Sequence, residues 1–171
     1  LLGDAERGDA LVVDPGGDPP RILAALRTLR LRCTAVLHTH AHIDHVAATA
    51  DIVRATGARV LMHAADRPLY AGLAEQAAWL GGLVPLPTAV TIDATPEHDQ
   101  TLDLGRFSGR FLHTPGHSPG SLCLFFEAPT PLLVAGDTLF ADGVGRTDLP
   151  GGSATHLAQS LRDHIVPLPG D

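Results

Sequence analysis

A layered α/β fold with mixed sheets is what this sequence predicts, and two patterns predict it. Strand-like apolar runs alternate with helical stripes through the first half. Several strand-like runs then follow one another in the second half. The 171 residues fit one domain, spanning 1–171. Hydrophobic residues make up 44% and charged residues 18%, which supports a real core and excludes a disordered chain. Aromatics are only 4%, so that core is expected to be aliphatic.

The elements follow in order. Residues 10–14 (A-L-V-V-D) read as a strand ended by Pro15-Gly16-Gly17. Asp18 caps a helix with Pro19 at its first position, and Ile22, Leu23, Leu26 and Leu29 form its stripe. Residues 35–37 form a second buried strand that runs into a histidine cluster. From Asp44 the pattern is helical, with Val46, Ala50 and Val53 in phase and Gly57 as the stop. Residues 59–62 are a third strand. Residues 64–87 read as helix and loop, with Leu69, Leu73, Trp79 and Leu80 facing inward. Val90 and Ile92 suggest a short strand. Residues 101–104, 110–113, 122–127 and 132–135 suggest four more, the last two joined by a turn at residues 128–131. Ser153 caps a final helix with Leu157, Leu161 and Ile165 on one face.

Composition excludes some functions. The net charge of −7 argues against a nucleic-acid surface. No apolar run reaches the roughly 20 residues that cross a bilayer, so no membrane role is expected. Cys33 and Cys123 both sit in apolar runs and read as buried free thiols of a reducing, cytoplasmic setting. Their spacing does not suit a structural zinc site.

Ten histidines are the anomaly, and four fall within residues 38–45 (H-T-H-A-H-I-D-H). Neutral imidazoles and carboxylates are metal ligands. In extended chain, residues two apart share a face, so His40 and His42 converge on one point. Asp44 and His45 open the following helix and turn toward a point nearby. Together they fit two adjacent ions. A solvated histidine cluster would explain neither the aspartate nor the apolar strand leading in. His38 has the parity of the core and is not a ligand. Two later segments offer the ligands still needed. His117 lies in the tight loop Thr114-Pro115-Gly116-His117-Ser118-Pro119-Gly120-Ser121. Asp137 follows a buried strand in Ala135-Gly136-Asp137-Thr138-Leu139, where an unpaired carboxylate would be costly.

These segments resemble the metallo-β-lactamase fold superfamily. Thr39-His40-Ala41-His42-Ile43-Asp44-His45 matches its T-H-x-H-x-D-H signature. The His117 and Asp137 segments, with Gly145-Arg146-Thr147-Asp148-Leu149-Pro150-Gly151-Gly152, resemble the short glyoxalase II-like (hydroxyacylglutathione hydrolase-like) branch. The resemblance implies an αββα sandwich of two mixed sheets flanked by helices. It implies two divalent metal ions, zinc first, with iron or manganese as the other ions such ligands accept. His40, His42 and His117 would hold one ion, Asp44 and His45 the other, and Asp137 would bridge. A bridging hydroxide, flanked by Asp44 and Asp137, would attack a thioester such as S-lactoylglutathione or a related acyl-thiol. Thr39 or His113 would receive the second N–H of a ligand imidazole. Arg146 and Thr147 would approach the thiol-bearing substrate.

The resemblance also implies a chain clipped at both ends. Only Leu1-Leu2 would remain of the first strand before a turn at Gly3-Asp4. A further histidine ligand would be expected shortly after Pro167-Leu168-Pro169-Gly170-Asp171. A catalytically incomplete fragment is therefore one alternative. The other is a mononuclear iron persulfide dioxygenase, which shares the motif set. A diiron oxygen reductase is disfavoured by His42, a nuclease by the acidic balance, and a β-lactamase by the later motifs. The partner expected is a small thioester, with no nucleic acid and no membrane.

Overall fold

The computed structural model describes residues 1–128 and 130–169. β1 (Leu2–Asp4) pairs antiparallel with β2 (Asp9–Val13), and β2 runs parallel to β3 (Arg32–His38), which runs parallel to β4 (Arg59–Met62). Parallel neighbours need crossovers. α1 (Pro19–Thr28) supplies the first, with Asp18 accepting from the Arg21 N–H as its cap. α2 (Ile43–Val46) and α3 (Thr49–Thr56) supply the second. The second sheet is β5 (Thr101–Leu104), β6 (Phe107–His113), β7 (Leu122–Phe126) and β8 (Leu132–Val134). All its pairings are antiparallel, so only the first sheet is mixed. A small ribbon of β9 (Leu139–Phe140) and β10 (Gly143–Val144) precedes α6 (Ala154–Ser160). Ser153 caps α6, and a π-helical turn over Leu161–Ile165 continues it.

Side-chain alternation builds the sandwich. Leu11, Leu37 and Leu61 face Leu104, Phe111, Leu122, Leu124 and Phe126 across the space between the sheets. On the outer side of the first sheet, Ala10, Val12, Cys33 and Val36 pack against Leu26 of α1 and Ile52 of α3. On the outer side of the second, Leu112, Cys123 and Phe125 pack against Ile165 and Leu168. The layers are therefore helix, sheet, sheet, helix. Both cysteines are buried and free. No described helix is long and apolar enough to cross a membrane.

Several local expectations change. Leu2–Asp4 is strand, and the turn falls after it, closed by the Gly8 N–H on the Asp4 carbonyl. The single helix expected from Asp44 is two, because the Ala48 N–H goes to the Pro15 carbonyl at 2.8 Å. Val90 and Ile92 form no strand. The Val90 backbone bonds instead to the Tyr70 hydroxyl, and only Ala94 bridges to Leu61. In the 64–87 segment, α4 (Arg67–Ala71) and α5 (Leu73–Trp79) form, and Leu73 is buried. Trp79 and Leu80 are exposed, against expectation. The turn at 128–131 includes Pro129, and the chain end includes Gly170 and Asp171; these lie outside the described residues.

His38 is wholly buried at the end of β3, as its parity predicts. Its Nε2 lies 3.3 Å from Thr49 Oγ1, and its Nδ1 has no partner among the described residues. Burial pushes its pKa down to about 4 from the ordinary 6.5. The folded state therefore holds His38 neutral while the unfolded chain takes up a proton below about pH 6.5. Stability from this residue is full above that pH and is lost as pH falls toward 4, by about 3 kcal/mol. Urea denaturation of the metal-free parent and of metal-free His38→Gln should show a steeper loss for the parent across that window. Parallel profiles would disprove the assignment.

Candidate metal centre

The parallel strands of the first sheet end at one edge of the sandwich. There the Leu122 N–H bonds to the Thr39 carbonyl at 2.8 Å and stitches the second sheet to the first. The loop after β3 carries His40 and His42, α2 carries Asp44 and His45, the β6–β7 loop carries His117, and the β8–β9 loop carries Asp137. His40, His42 and His117 are buried and converge. His117 Nε2 lies 2.8 Å from His42 Nδ1 and 3.2 Å from His40 Nε2.

Hydrogen bonds around the rings fix which nitrogens face inward. The Arg146 backbone carbonyl can only accept, so His117 Nδ1 donates to it at 2.8 Å and Nε2 keeps its lone pair. Thr39 Oγ1 donates to Asp14 Oδ2 at 2.6 Å and so accepts from His40 Nδ1 at 3.1 Å. His45 Nδ1 donates to Asp14 Oδ2 at 3.1 Å. His40 Nε2 and His117 Nε2 are thereby left as acceptors, and so is His45 Nε2 whenever that ring is neutral. His42 Nε2 is buried without a partner among the described residues. Burial, reinforced by His45, His42 and His117, holds His40 neutral, and burial with His117 lowers His42 to about 4. Lone pairs packed this closely repel one another unless a cation lies among them. The donor set thus fits a divalent ion.

A second cluster of candidate donors adjoins the first. Asp137 lies between the two, with Oδ2 3.6 Å from His117 Nε2 and Oδ1 3.5 Å from His45 Nε2. Asp44 Oδ2 lies 3.8 Å from His45 Nε2 on a side chain that is 66% exposed. Burial disfavours the His45 cation, but the hydrogen bond and charge of Asp14, with Asp137 and Asp44, outweigh it and raise the pKa.

Asp14 was not expected in the site. It is within 4.8 Å of His40 and His45. Its oxygens are already engaged, by the Thr39 N–H at 2.7 Å, the Thr39 hydroxyl and His45. It thereby fixes the orientation of Thr39 and His45. Asp66 is the second unexpected residue. Its fully buried carboxylate accepts from the Ala41 N–H at 2.9 Å, the Ser118 hydroxyl at 2.8 Å and the Gly120 N–H. Burial pushes its carboxyl up, and those three bonds pull against it. Ala41 stands between His40 and His42, and Ser118 beside His117. At Gly120 the approach is so close that a Cβ would meet Asp66 Cγ at 2.7 Å.

The other sequence-predicted residues fall as follows. Thr39 contacts His40. His113 touches none of the ligand rings; its Nε2 holds the Pro119 carbonyl at 2.9 Å, and its ring stacks on His63 at 3.9 Å. The Arg146 side chain is on the cavity rim, in a bidentate pair with Asp148 at 2.7 Å. Thr147 is half-buried behind it and does not line the cavity.

The centre opens into a cavity of about 470 Å³ that reaches Asp44, Asp137 and Arg146. A 350 Å³ apolar cleft at the far ends of the strands, beside Leu2, Phe107, Phe126 and Leu132, offers no titratable group.

Comparison with known proteins agrees. The Metallo-beta-lactamase superfamily profile matches residues 2–169. The chain is 34% identical to "Hydroxyacylglutathione hydrolase GloC" of Haemophilus influenzae, over 100% of this chain and 80% of that one. Among solved structures it is similar to the BLEG-1 B3 metallo-beta-lactamase, with TM-score 0.88, 35% identity, and 98% of this chain and 79% of that one covered. It is also similar to TTHA1623 in a di-iron-bound form, with TM-score 0.81, 37% identity, and 92% and 76% covered. Sequence likeness from the first strand to beyond the last helix, on a closely superposing fold, means that the chain belongs to the metallo-β-lactamase superfamily.

Proposed function

We propose that this protein is a metal-dependent hydrolase of thioesters, with S-lactoylglutathione as the reference substrate and zinc as the first candidate metal. One observation carries the reading. The lone pairs of His40 and His117 are fixed inward, with Asp137 between His117 and His45, beside an open cavity. His40, His42 and His117 would hold one divalent ion and Asp44, Asp137 and His45 a second. Bound there, the ions supply Lewis acidity and acidify water for attack near neutral pH. The chain does the positioning. Asp14 and the Arg146 carbonyl keep the imidazoles in the ligating tautomer, and Asp66 holds both ligand loops. A thiolate leaves without a proton donor, so no further acid is needed. Likeness to the Haemophilus influenzae hydrolase supports the thioester as substrate. Arg146 and Thr147 remain the proposed contacts to the thiol carrier, with Arg146 reaching it only in competition with Asp148.

A mononuclear iron dioxygenase acting on a persulfide is the second reading. It is favoured by the compact three-histidine set and by the exposure of Asp44. Metal analysis with paired assays separates the two. About two ions per chain, with S-lactoylglutathione hydrolysis abolished by chelation, is the expected result. One iron per chain, with oxygen consumed on a persulfide and every thioester untouched, would overturn it.

A further inference from the structure

The cavity beside the ligands has one apolar wall that faces solvent. Its side chains are Trp79 and Leu80 at the end of α5, with Leu83 and Val84 just beyond. Trp79 is 61% exposed and Leu83 87%. A cluster of large apolar side chains left in water marks a place that something covers. The wall is also fixed in position. Gln76, buried one turn earlier in α5, accepts from the Ile43 N–H at 2.9 Å and donates to the Ala41 carbonyl at 3.2 Å. Val84 packs on the cluster of Ile43, Val46 and Leu73. The wall is thus tied to the same loop that carries His42.

We infer that this wall is the acyl subsite, and that the favoured substrate carries an extended apolar acyl chain rather than a short hydroxyacyl group. The inference rests on the thioesterase reading. A thioester has two ends of different chemistry. Thiol carriers are polar or charged along their length and need hydrogen-bonding partners. Of the four wall side chains only the Trp79 indole N–H could be one. The same cavity is also lined by Arg146, whose charge suits a polar carrier. An acyl chain brings no charge, and its methylenes suit the wall. With the acyl chain there, the scissile carbonyl lies toward His42, His117 and Asp137, and water adds to it as the C–S bond breaks and the thiol leaves. Each methylene moved from water onto the wall is worth about fourfold in binding.

The test uses metal-loaded full chain and N-acetylcysteamine thioesters from acetyl to octanoyl, with S-lactoyl beside them. kcat/KM should climb by about fourfold per methylene before levelling, and Leu83→Ser should flatten the climb. A second readout needs no turnover. Trp79 is the sole tryptophan, so its emission reports the wall directly. Octanoate should shift it saturably to shorter wavelength, and lactate should not. A flat acyl series, or octanoate without effect on the emission, would overturn the subsite while leaving the thioesterase intact. Turnover that follows the thiol carrier and ignores the acyl chain would do the same. Loaded protein that cleaves no thioester would overturn the thioesterase reading, and this inference with it.

Discussion

Asp66→Ala should weaken metal binding 10- to 100-fold, roughly the loss typical when a group that orients ligands is removed. No ligand is touched. The effect comes from three donors that lose their acceptor: the Ala41 N–H, the Gly120 N–H and the Ser118 hydroxyl. Each buried donor left unpaired costs about 1–3 kcal/mol, and the Ser118 hydroxyl can turn to Ser121 Oγ, so the two backbone N–H groups should cost about 2 kcal/mol or more. The affinity loss has a separate cause. Ala41 sets the interval between His40 and His42, and Ser118 adjoins His117, so freeing them lets the converging nitrogens spread. Asp66→Asn keeps the shape but turns an N–H toward one of the donors, and should show a smaller loss of both kinds. Chelator competition measures affinity and urea denaturation measures stability. A folded Asp66→Ala protein that binds metal like the parent would refute the role.

The second large effect is expected at Gly145. A Cβ there would lie 1.8 Å from the Asp137 carbonyl oxygen and 3.0 Å from His117 Nδ1. Backbone atoms cannot yield as a flexible side chain can. In Gly145→Ala the Asp137 loop must separate from the 145–146 segment, and the Arg146 carbonyl must move off His117. Overpacking of this kind costs about 1–3 kcal/mol. The larger effect is on geometry, since a shift of about 1 Å at a reacting centre costs on the order of a hundredfold in rate. We expect a folded protein by circular dichroism with kcat/KM for the thioester down about a hundredfold. Turnover at the parent level would show that the contact does not govern the site.

The convergence of the histidine cluster was readable because its residues are adjacent in sequence and their spacing has a direct geometric meaning. His40, His42, Asp44 and His45 advertise themselves. Asp14 and Asp66 do not. Asp14 looks like an ordinary strand-ending aspartate, and the residue it serves, Thr39, is 25 positions away. Asp66 resembles a helix cap, while Ser118 and Gly120 are 52 and 54 positions away. One hint was present: a carboxylate at the end of an apolar strand needs partners, an argument applied to Asp137 and equally valid for Asp14. Element boundaries failed where tertiary contacts outvote local preference. Alanines at 47 and 48 favour helix, yet Ala48 gives its N–H to Pro15. Trp79 and Leu80 fit an inward stripe by periodicity, which cannot distinguish a core from a cavity wall.

The proposed ligands come from both halves of the sandwich: His40, His42, Asp44 and His45 from the first sheet's edge, His117 and Asp137 from the second's. An ion that joins them holds the halves together as well as serving the chemistry. Binding to the folded chain alone lowers the unfolding constant by the factor one plus free metal over Kd. For each ion above its Kd, a tenfold rise in free metal therefore makes the open, protease-sensitive chain about tenfold rarer. The lifetime of the protein in a cell is thereby coupled to the supply of the element it uses, and scarcity clears the empty copies first.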